Sequence, residues 1–155
     1  MSGDAVGEAR SADVAEGAAP AVRPFHLSLP VRDLDEAADW YVDVLGTGRR
    51  RTGPGWVDLD LFGSQLSLHL VEGYEPDPRT TTVDGTAVPL RHLGVVLDPD
   101  TWHALVARLE AAGVTFLLTP RSRFVGEPGE QHTLFLADPS GNAIEVKAFP
   151  AGAWV

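Results

Sequence analysis

Three residues of the sequence have the side chains that a catalytic metal ion requires. His26 and His92 lie in two strand-like segments, one in each half of the chain, and Glu145 is flanked by Ile144 and Val146. Neighbouring side chains on a strand point to opposite faces, so the apolar flanks bury one face while the carboxylate needs a cation or a strong donor on the other. Two neutral imidazoles and one carboxylate leave coordination positions open, which suits Fe(II) with O₂, or Mn(II), Ni(II), Co(II) or Zn(II) as Lewis acids. We therefore predict one divalent metal ion on His26, His92 and Glu145, in a catalytic site.

Other polar residues are predicted to surround this ion. Gln65, Ser67 and His69 alternate along one strand and therefore share a face. Lys147 has the strand parity of Glu145 and is therefore predicted at the rim of the same cavity; the alternative is that Glu145 is an edge-strand surface residue with a salt bridge to Lys147. A glycine-rich segment at 126–131 is interpreted as a lid or turn. The predicted substrate contacts lie on these faces and beside that segment: Gln65, Ser67, Lys147, Arg123 and Gln131.

The composition of the 155-residue chain excludes several classes of protein. The formal charge is −10, from 12 Lys and Arg against 22 Asp and Glu, so the mean field repels nucleic acid and anionic lipid. No apolar run approaches the roughly 20 residues that span a bilayer. The absence of Cys removes disulfides, thiolate zinc sites and cysteine nucleophiles. Asp58 and Asp60 alternate along one strand and are predicted to be solvated, which leaves glycosidase chemistry with little support.

The elements that must position these residues form two similar halves. In the first half, a strand at 25–31 precedes a helix that opens with a capping box at Asp33 and ends at Gly46. Strands at 56–62 and 65–71 follow, and then a loop rich in Pro, Asp, Thr and Gly.

The second half repeats this order. A strand at 91–97 precedes a helix that starts near Asp98 and ends at Gly113, and strands follow at 114–118, 131–136 and 143–149. The spacing along the chain from Gly46 to Gly113 nearly equals the spacing between the two histidines, so an internal duplication is the simplest explanation.

These segments divide the chain into five predicted regions. Residues 1–23 have no sustained apolar period and are predicted to form a disordered tail without a secretory signal, which favours a cytoplasmic location. The first module is predicted at 24–72, a linker at 73–89, the second module at 90–149 and a C-terminal tail at 150–155.

The chain resembles the vicinal oxygen chelate family, which includes glyoxalase I, fosfomycin-resistance transferases, extradiol dioxygenases and bleomycin-resistance proteins. The resemblance covers residues 25–149. The resemblance rests on three motifs, Phe25-His26-Leu27, Arg91-His92-Leu93-Gly94-Val95 and Asp138-Pro139-Ser140-Gly141-Asn142-Ala143-Ile144-Glu145. The last of these is the most specific. It implies an α+β fold of two tandem βαβββ modules, whose curved sheet surrounds a metal-centred cavity. It also implies that the substrate chelates the metal through neighbouring oxygens.

Two positions depart from particular members of that family. Glyoxalase I has a further glutamate ligand on the fourth strand, where this chain reads Gln65-Leu66-Ser67-Leu68-His69. The place of His69 resembles that of the acid–base histidine of extradiol dioxygenases, although a structural histidine or a fourth ligand would also fit there. Phe135 stands about where those dioxygenases have an active-site tyrosine, which makes it a further predicted substrate contact.

The leading functional prediction is therefore an Fe(II) dioxygenase-like enzyme acting on a small oxygenated or phenolic compound. Lyase or isomerase chemistry is the alternative among enzymes. A metal-free protein that binds a drug or metabolite, as bleomycin-resistance members do, is the alternative outside them. The resemblance also implies a homodimer, since exposed sheet edges associate in this family.

Overall fold

The described residues form two four-stranded sheets, each with a helix against one face, and a two-stranded hairpin between them. The structure, a computed structural model, describes residues 24–150. The predicted tail at 1–23, and all but the first residue of the predicted tail at 150–155, lie outside this range.

The first sheet has the strand order β1-β4-β3-β2, with β1 parallel to β4. Its helix α1 continues into a π-helical turn at Tyr41–Leu45. The elements of this module are β1 (His26–Val31), α1 (Leu34–Trp40), β2 (Gly48–Gly53), β3 (Trp56–Leu61) and β4 (Ser64–Leu70).

The second sheet repeats that arrangement with the order β7-β10-β9-β8, and β7 is parallel to β10. A two-stranded hairpin, formed by β5 (Thr80–Val83) and β6 (Thr86–Pro89), connects the two modules. The remaining elements are β7 (His92–Leu97), α2 (Pro99–Ala111), β8 (Phe116–Arg123), β9 (Gln131–Ala137) and β10 (Ala143–Ala148). The predicted α+β fold of two βαβββ modules is confirmed.

Both helices begin and end as their local sequence predicts. The carboxylates of Asp33 and Asp98 accept hydrogen bonds from backbone N–H groups of the first turns, those of Glu36 and Thr101, each at 2.9 Å. These bonds satisfy donors that have no partner inside a helix. At the other end of the first helical segment, Gly46 has φ +78°, a left-handed conformation that glycine adopts without a steric penalty.

One apolar core joins the two modules. The side chains of β1, β3 and β4 that face α1 alternate with polar ones on the opposite face, and β7, β9 and β10 show the same alternation towards α2. Both helices contribute to the shared core through Tyr41, Leu45, Trp102, Leu105 and Leu109. The opposite, largely polar face of each sheet is therefore the face available for chemistry.

The linker differs from its sequence-based description, because residues predicted as a loop form the β5–β6 hairpin. β2 was not recognised as a strand either: three of its six residues are arginines and nearly all of it is exposed. Neither segment has the apolar alternation by which a half-buried strand is detected. Within residues 24–150, no helix is long and apolar enough to cross a membrane.

Candidate metal centre

Glu145 lies at the centre of the polar face of the second sheet and is buried, with 6% of its surface exposed. Its Oε1 atom accepts a 2.8 Å hydrogen bond from the Thr133 hydroxyl. Its Oε2 atom lies 3.2 Å from the Lys147 ammonium and 3.3 Å from Nε2 of His92. The carboxylate is thus held by β9 on one oxygen and faces a histidine and a lysine with the other.

The orientation of His92 is set by the backbone at the end of the hairpin. Nδ1 of His92 lies 2.8 Å from the Pro89 carbonyl oxygen, and because a carbonyl only accepts, Nδ1 must carry the proton. In the neutral ring, Nε2 then has a lone pair directed at a carboxylate oxygen. Two lone pairs that face each other so closely repel unless a cation, either a proton or a metal ion, lies between them.

This pair fits a shared metal ion. Two donors about 2.1 Å from one ion, at coordination angles of about 90–110°, lie roughly 3.0–3.4 Å apart. The Nε2–Oε2 distance of 3.3 Å falls in that range. The Nδ1–H bond to a backbone carbonyl is the contact that commonly fixes a metal-binding imidazole. His92 and Glu145 could therefore hold a metal on one side, with further ligands required on the other.

Gly94 gives Glu145 room for this position. A Cβ atom at residue 94 would lie 2.7 Å from the backbone oxygen of Glu145 and 3.4 Å from its Cβ. The two residues are directly paired across β7 and β10, so glycine at this position lets the β7 backbone lie close to that of Glu145.

His26, the third predicted ligand, does not join this pair within one chain. Its Nε2 lies 3.4 Å from the Ser28 hydroxyl, at the exposed start of β1. Among residues 24–150, no three His, Asp or Glu side chains converge closely enough to hold one ion. The structure thus brings two of the three predicted ligands together and leaves the third on the neighbouring sheet.

The polar face of the first sheet contains a different cluster, centred on Asp58. This residue was predicted to be solvated and that prediction was wrong, because only 3% of its surface is exposed. Its carboxylate accepts bonds from the Ser67 hydroxyl at 2.5 Å and from Nη2 of Arg51 at 2.8 Å. These contacts, the Ser67 bond first, hold the pKa of Asp58 below its ordinary value despite burial.

Of the residues predicted beside this cluster, Gln65 and Ser67 contact Asp58. His69 is exposed at the same face, one position beyond Ser67 in the alternation and paired with Trp56 on β3. It therefore lies on the first sheet, whereas His92 and Glu145 lie on the second.

The hairpin covers part of the polar face of the second sheet. Val88 of β6 packs on Leu118 and Phe135 in a small apolar cluster separate from the main core. Phe135 is also edge-on to the His92 ring, with centroids 5.1 Å apart, and it forms an apolar wall beside that histidine. Arg123 is buried and donates a 2.9 Å hydrogen bond to the Val83 carbonyl, which fastens the hairpin to β8.

Of the other predicted substrate contacts, Gln131 is half-buried opposite Arg123. Lys147 forms a salt bridge with Glu145, although that bridge was predicted only for a Glu145 on the surface, and Glu145 is buried. Thr133 was missed. Its position beside Glu145 can be found by counting back along β9 from the turn, but only once the β9–β10 register is known.

The motif from Asp138 to Asn142 connects the second module to the first. Its Asp138 carboxylate accepts backbone bonds from Ser140 and Asn142 and a side-chain bond from Asn142, at 2.8–2.9 Å. Asn142 also donates to the Pro30 carbonyl at 3.0 Å, and the Tyr41 hydroxyl donates to Asp138 at 3.3 Å. Burial raises the pKa of Asp138, and burial together with the nearby Asp138 charge raises that of Tyr41. The motif thus positions the start of β10, and with it Glu145, against β1.

Two depressions lie near the candidate site. A cleft of about 790 Å³ opens between β1, the segment 74–80 and the start of β7, and its lining includes His92. A groove of about 460 Å³ runs between β1 and β7, where the two sheets lie side by side without pairing. The cleft is large enough for a small molecule.

Comparison with known proteins identifies relatives that match most of the chain. The sequence profile of the glyoxalase/bleomycin resistance protein/dioxygenase superfamily matches residues 23–146. A glyoxalase/bleomycin resistance protein/dioxygenase from Alicyclobacillus acidocaldarius is 35% identical, with a TM-score of 0.68 over 81% of this chain and 90% of that one.

Two further solved structures have the same architecture. A glyoxylase/bleomycin resistance protein/dioxygenase domain from Frankia sp. EAN1pec is 26% identical, with a TM-score of 0.60 over 82% of this chain and 91% of that one. A lactoylglutathione lyase from Agrobacterium tumefaciens is 22% identical, with a TM-score of 0.58 over 88% of this chain and 98% of that one, a likeness of fold alone.

Proposed function

The chain belongs to the glyoxalase/bleomycin resistance protein/dioxygenase superfamily, and on that basis we propose that it is a metal-dependent enzyme acting on a small compound with neighbouring oxygen atoms. The observation that carries the proposal is the 3.3 Å pair of His92 Nε2 and Glu145 Oε2, with the other ring nitrogen held by Pro89. Fe(II) and an extradiol-type dioxygenase reaction are the first candidates, and lyase or isomerase chemistry is the second.

A divalent ion at this pair would supply a Lewis acid that binds two substrate oxygens and favours ionisation of a coordinated hydroxyl. The residues of the chain orient the partners and limit access by water. Thr133 fixes the rotamer of Glu145, and Phe135 with Val88 forms an apolar wall beside the His92 ring. We assign the transfer of the substrate hydroxyl proton to His69, which lies on the same face of the first sheet as His26 and would reach the site together with it.

We further propose that His26 of the partner subunit completes the ligand set in a homodimer. Within residues 24–150, β1 and β7 are edge strands, each hydrogen-bonded to one neighbouring strand only, and such edges readily pair with another chain. Exposed apolar side chains lie at both, with Phe25 67% and Val96 50% exposed. A two-fold axis would bring β1 of each subunit to β7 of the other, forming two equal sites.

Metal titration tests the proposed function. The protein, loaded anaerobically with Fe(II), Mn(II), Co(II), Ni(II) or Zn(II), should bind about one ion per chain, and His92→Ala and Glu145→Gln should each abolish binding. His103→Ala, on an exposed position of α2, is the matched control and should leave binding unchanged. Oxygen consumption with catechol-like compounds then separates a dioxygenase from a lyase or isomerase. Failure of the wild-type protein to bind any of these ions above chelator background would refute the proposal.

Subunit mixing tests the shared site. His26→Ala and Glu145→Ala are each expected to lose metal, but a mixed dimer contains one site with all of its ligands intact. Mixing the two variants after partial unfolding and refolding should therefore recover about one quarter of the wild-type metal content, because half of the dimers are mixed and each has one of two sites. No recovery would assign the three ligands to one chain.

One observation favours a second candidate function, a metal-free binding protein. The Lys147 ammonium already neutralises Glu145 at 3.2 Å, so the buried carboxylate has a cation without any metal. The metal titration decides between the two functions, since a binding protein of this kind would keep its fold and ligand affinity in the presence of a chelator.

A further inference from the structure

Lys147 is the only lysine in the 155-residue chain, and it contacts the buried glutamate of the candidate metal centre. It lies two residues after Glu145 on β10 and therefore on the same face of the sheet. About 31% of its side chain is exposed, against 8% for Glu145. The ammonium thus reaches the carboxylate from the solvent side on a flexible stem.

The lysine and a metal ion would compete for one oxygen atom. Lys147 Nζ and His92 Nε2 both lie near Oε2 of Glu145, at 3.2 and 3.3 Å, while Oε1 is taken by Thr133. An ion bound about 2.1 Å from Oε2 would place two positive charges close to the ammonium, and like charges at that separation repel strongly. The four-carbon side chain can swing away, since part of it is already in solvent.

The row of side chains that includes Lys147 also contains an arginine. Thr133 is paired with Lys147 on one side and with Arg121 on the other, so these three side chains form one row across β10, β9 and β8. Arg121 is exposed. An anionic group beside the metal would therefore meet Lys147 first and Arg121 next.

From this arrangement we propose that Lys147 is a displaceable counter-ion. In the metal-free protein it neutralises Glu145. When a metal ion binds, the ammonium is released to bind an anionic group of the substrate. The substrate class is accordingly a small anion whose charged group lies next to its metal-chelating oxygens, such as a 2-hydroxycarboxylate. This inference rests on the proposed function, because it requires a metal at His92 and Glu145.

Metal affinity provides the first test. Lys147→Met has no ion pair to displace, so it should bind the divalent ion more tightly by about 5- to 150-fold, the usual range of coupling between two binding events. Arg121→Met is the matched control, because it removes one positive charge from the same face without touching Glu145, and it should change affinity much less. An equal gain of metal affinity in both variants would show that removing any positive charge from this face has the same effect, and it would overturn the inference.

Amine labelling tests the displacement in the unmodified protein, and does not depend on the stability of a variant. The primary amines that an amine-selective acylating reagent can modify are the Lys147 side chain and the α-amino group, which serves as the internal standard. Mass spectrometry should show Lys147 reacting faster when metal is added, relative to the α-amino group. An unchanged ratio would mean that the ammonium does not leave Glu145.

Ligand binding to the metal-loaded protein tests the substrate class. Glycolate and glycolamide offer the same neighbouring oxygens, but only glycolate is an anion. Lys147→Met should weaken glycolate by about 10-fold or more, the value of one hydrogen bond between charged groups, and leave glycolamide nearly unchanged. Equal losses for both compounds would overturn the anion site. If neither the wild-type protein nor Lys147→Met binds metal, the proposed function fails with the inference, whereas equal metal binding by both refutes the inference alone.

Discussion

At the scale of single residues, the candidate centre depends on which of the two carboxylate oxygens of Glu145 each of three neighbouring side chains contacts. Thr133 on β9 occupies one oxygen, and His92 on β7 and Lys147 on β10 share the other. The Thr133 bond uses the oxygen that His92 and Lys147 do not contact, so a metal ion on the shared oxygen would leave this bond in place. Such supporting bonds to a ligand commonly change metal affinity by about 10- to 100-fold.

Thr133→Val tests that support. Valine has nearly the shape of threonine but cannot donate to Oε1 of Glu145, so metal affinity should fall by about 10- to 100-fold while the fold is retained. Chelator competition measures the affinity, and circular dichroism checks the fold. Thr81→Val, at an exposed position of β5, is the control. Unchanged affinity in Thr133→Val would show that Glu145 does not need this bond.

His69→Ala tests the assignment of proton transfer. Because His69 is on the first sheet and outside the His92–Glu145 pair, we expect the variant to keep its metal, while turnover of an identified substrate falls by about 10²- to 10⁴-fold. Metal content and turnover are measured on the same preparation. Loss of the metal would make His69 a ligand, and unchanged turnover would leave it a structural residue.

At the scale of elements, the polar faces of the two sheets have diverged. Glu145 and Ser67 occupy equivalent places in the two modules. Glu145 is paired with Gly94 in the second sheet as Ser67 is paired with Ser28 in the first. The first module therefore has a hydroxyl where the second has its carboxylate, and its buried acid, Asp58, is one strand further out. That acid is bonded by Arg51 and Ser67, so it stabilises the sheet and is not available as a ligand.

The pH dependence of the free energy of unfolding should reflect the ionisation of Asp58 in this cluster. The folded-state pKa of Asp58 is lowered, so its stabilising effect is present above the unfolded pKa of about 4 and is lost as the pH falls through the folded value. Asp58→Asn should lower the free energy of unfolding at neutral pH by about 1–3 kcal/mol and flatten the loss of stability below about pH 4. Denaturant unfolding from pH 7 to pH 2 measures both. Asp43→Asn, on the exposed side of the π-helical turn, is the control. Parallel curves for wild type and Asp58→Asn would contradict the assignment.

At the scale of the whole molecule, the two modules share a core but not a sheet. Tyr41, Asp138 and Asn142 join them on one side, while β1 and β7 lie alongside each other unpaired on the other. This leaves His26 apart from His92 and Glu145 within one chain. The arrangement is the physical reason to expect that a second copy contributes to the site.

Light scattering tests the assembly directly. We expect a mass about twice the 16.5 kDa of the chain at micromolar concentration, because paired edge strands and the exposed Phe25 would be buried together. Phe25→Asp should shift the equilibrium towards the monomer, and Val125→Asp, which changes an equally exposed apolar residue on another loop, should not. If the wild-type protein is a single species with the mass of one chain, both the proposed dimer and the proposed sharing of ligands between subunits are ruled out.

Features that depend on short-range chemistry could be read from the amino-acid sequence. The capping carboxylates of Asp33 and Asp98, the left-handed Gly46 and the turn at Asp138 are readable because each involves contacts between near neighbours along the chain. Strand parity likewise predicted that Lys147 lies on the same face as Glu145. The repeat of these signals in both halves predicted two similar modules, and the family resemblance supplied their βαβββ order.

Which faces and strands meet could be seen only in the folded chain. Parity cannot say that Ser67 and Arg51 close over Asp58, that the hairpin places Val88 on Phe135, or that Pro89 orients His92, because each contact joins elements whose relative position is set by packing. The same holds for His26, whose strand matches that of His92 in sequence but lies in a separate sheet. Sequence patterns therefore identified the residues with metal-binding chemistry, and the packing of two sheets against one shared core determined which of them are in contact within a chain.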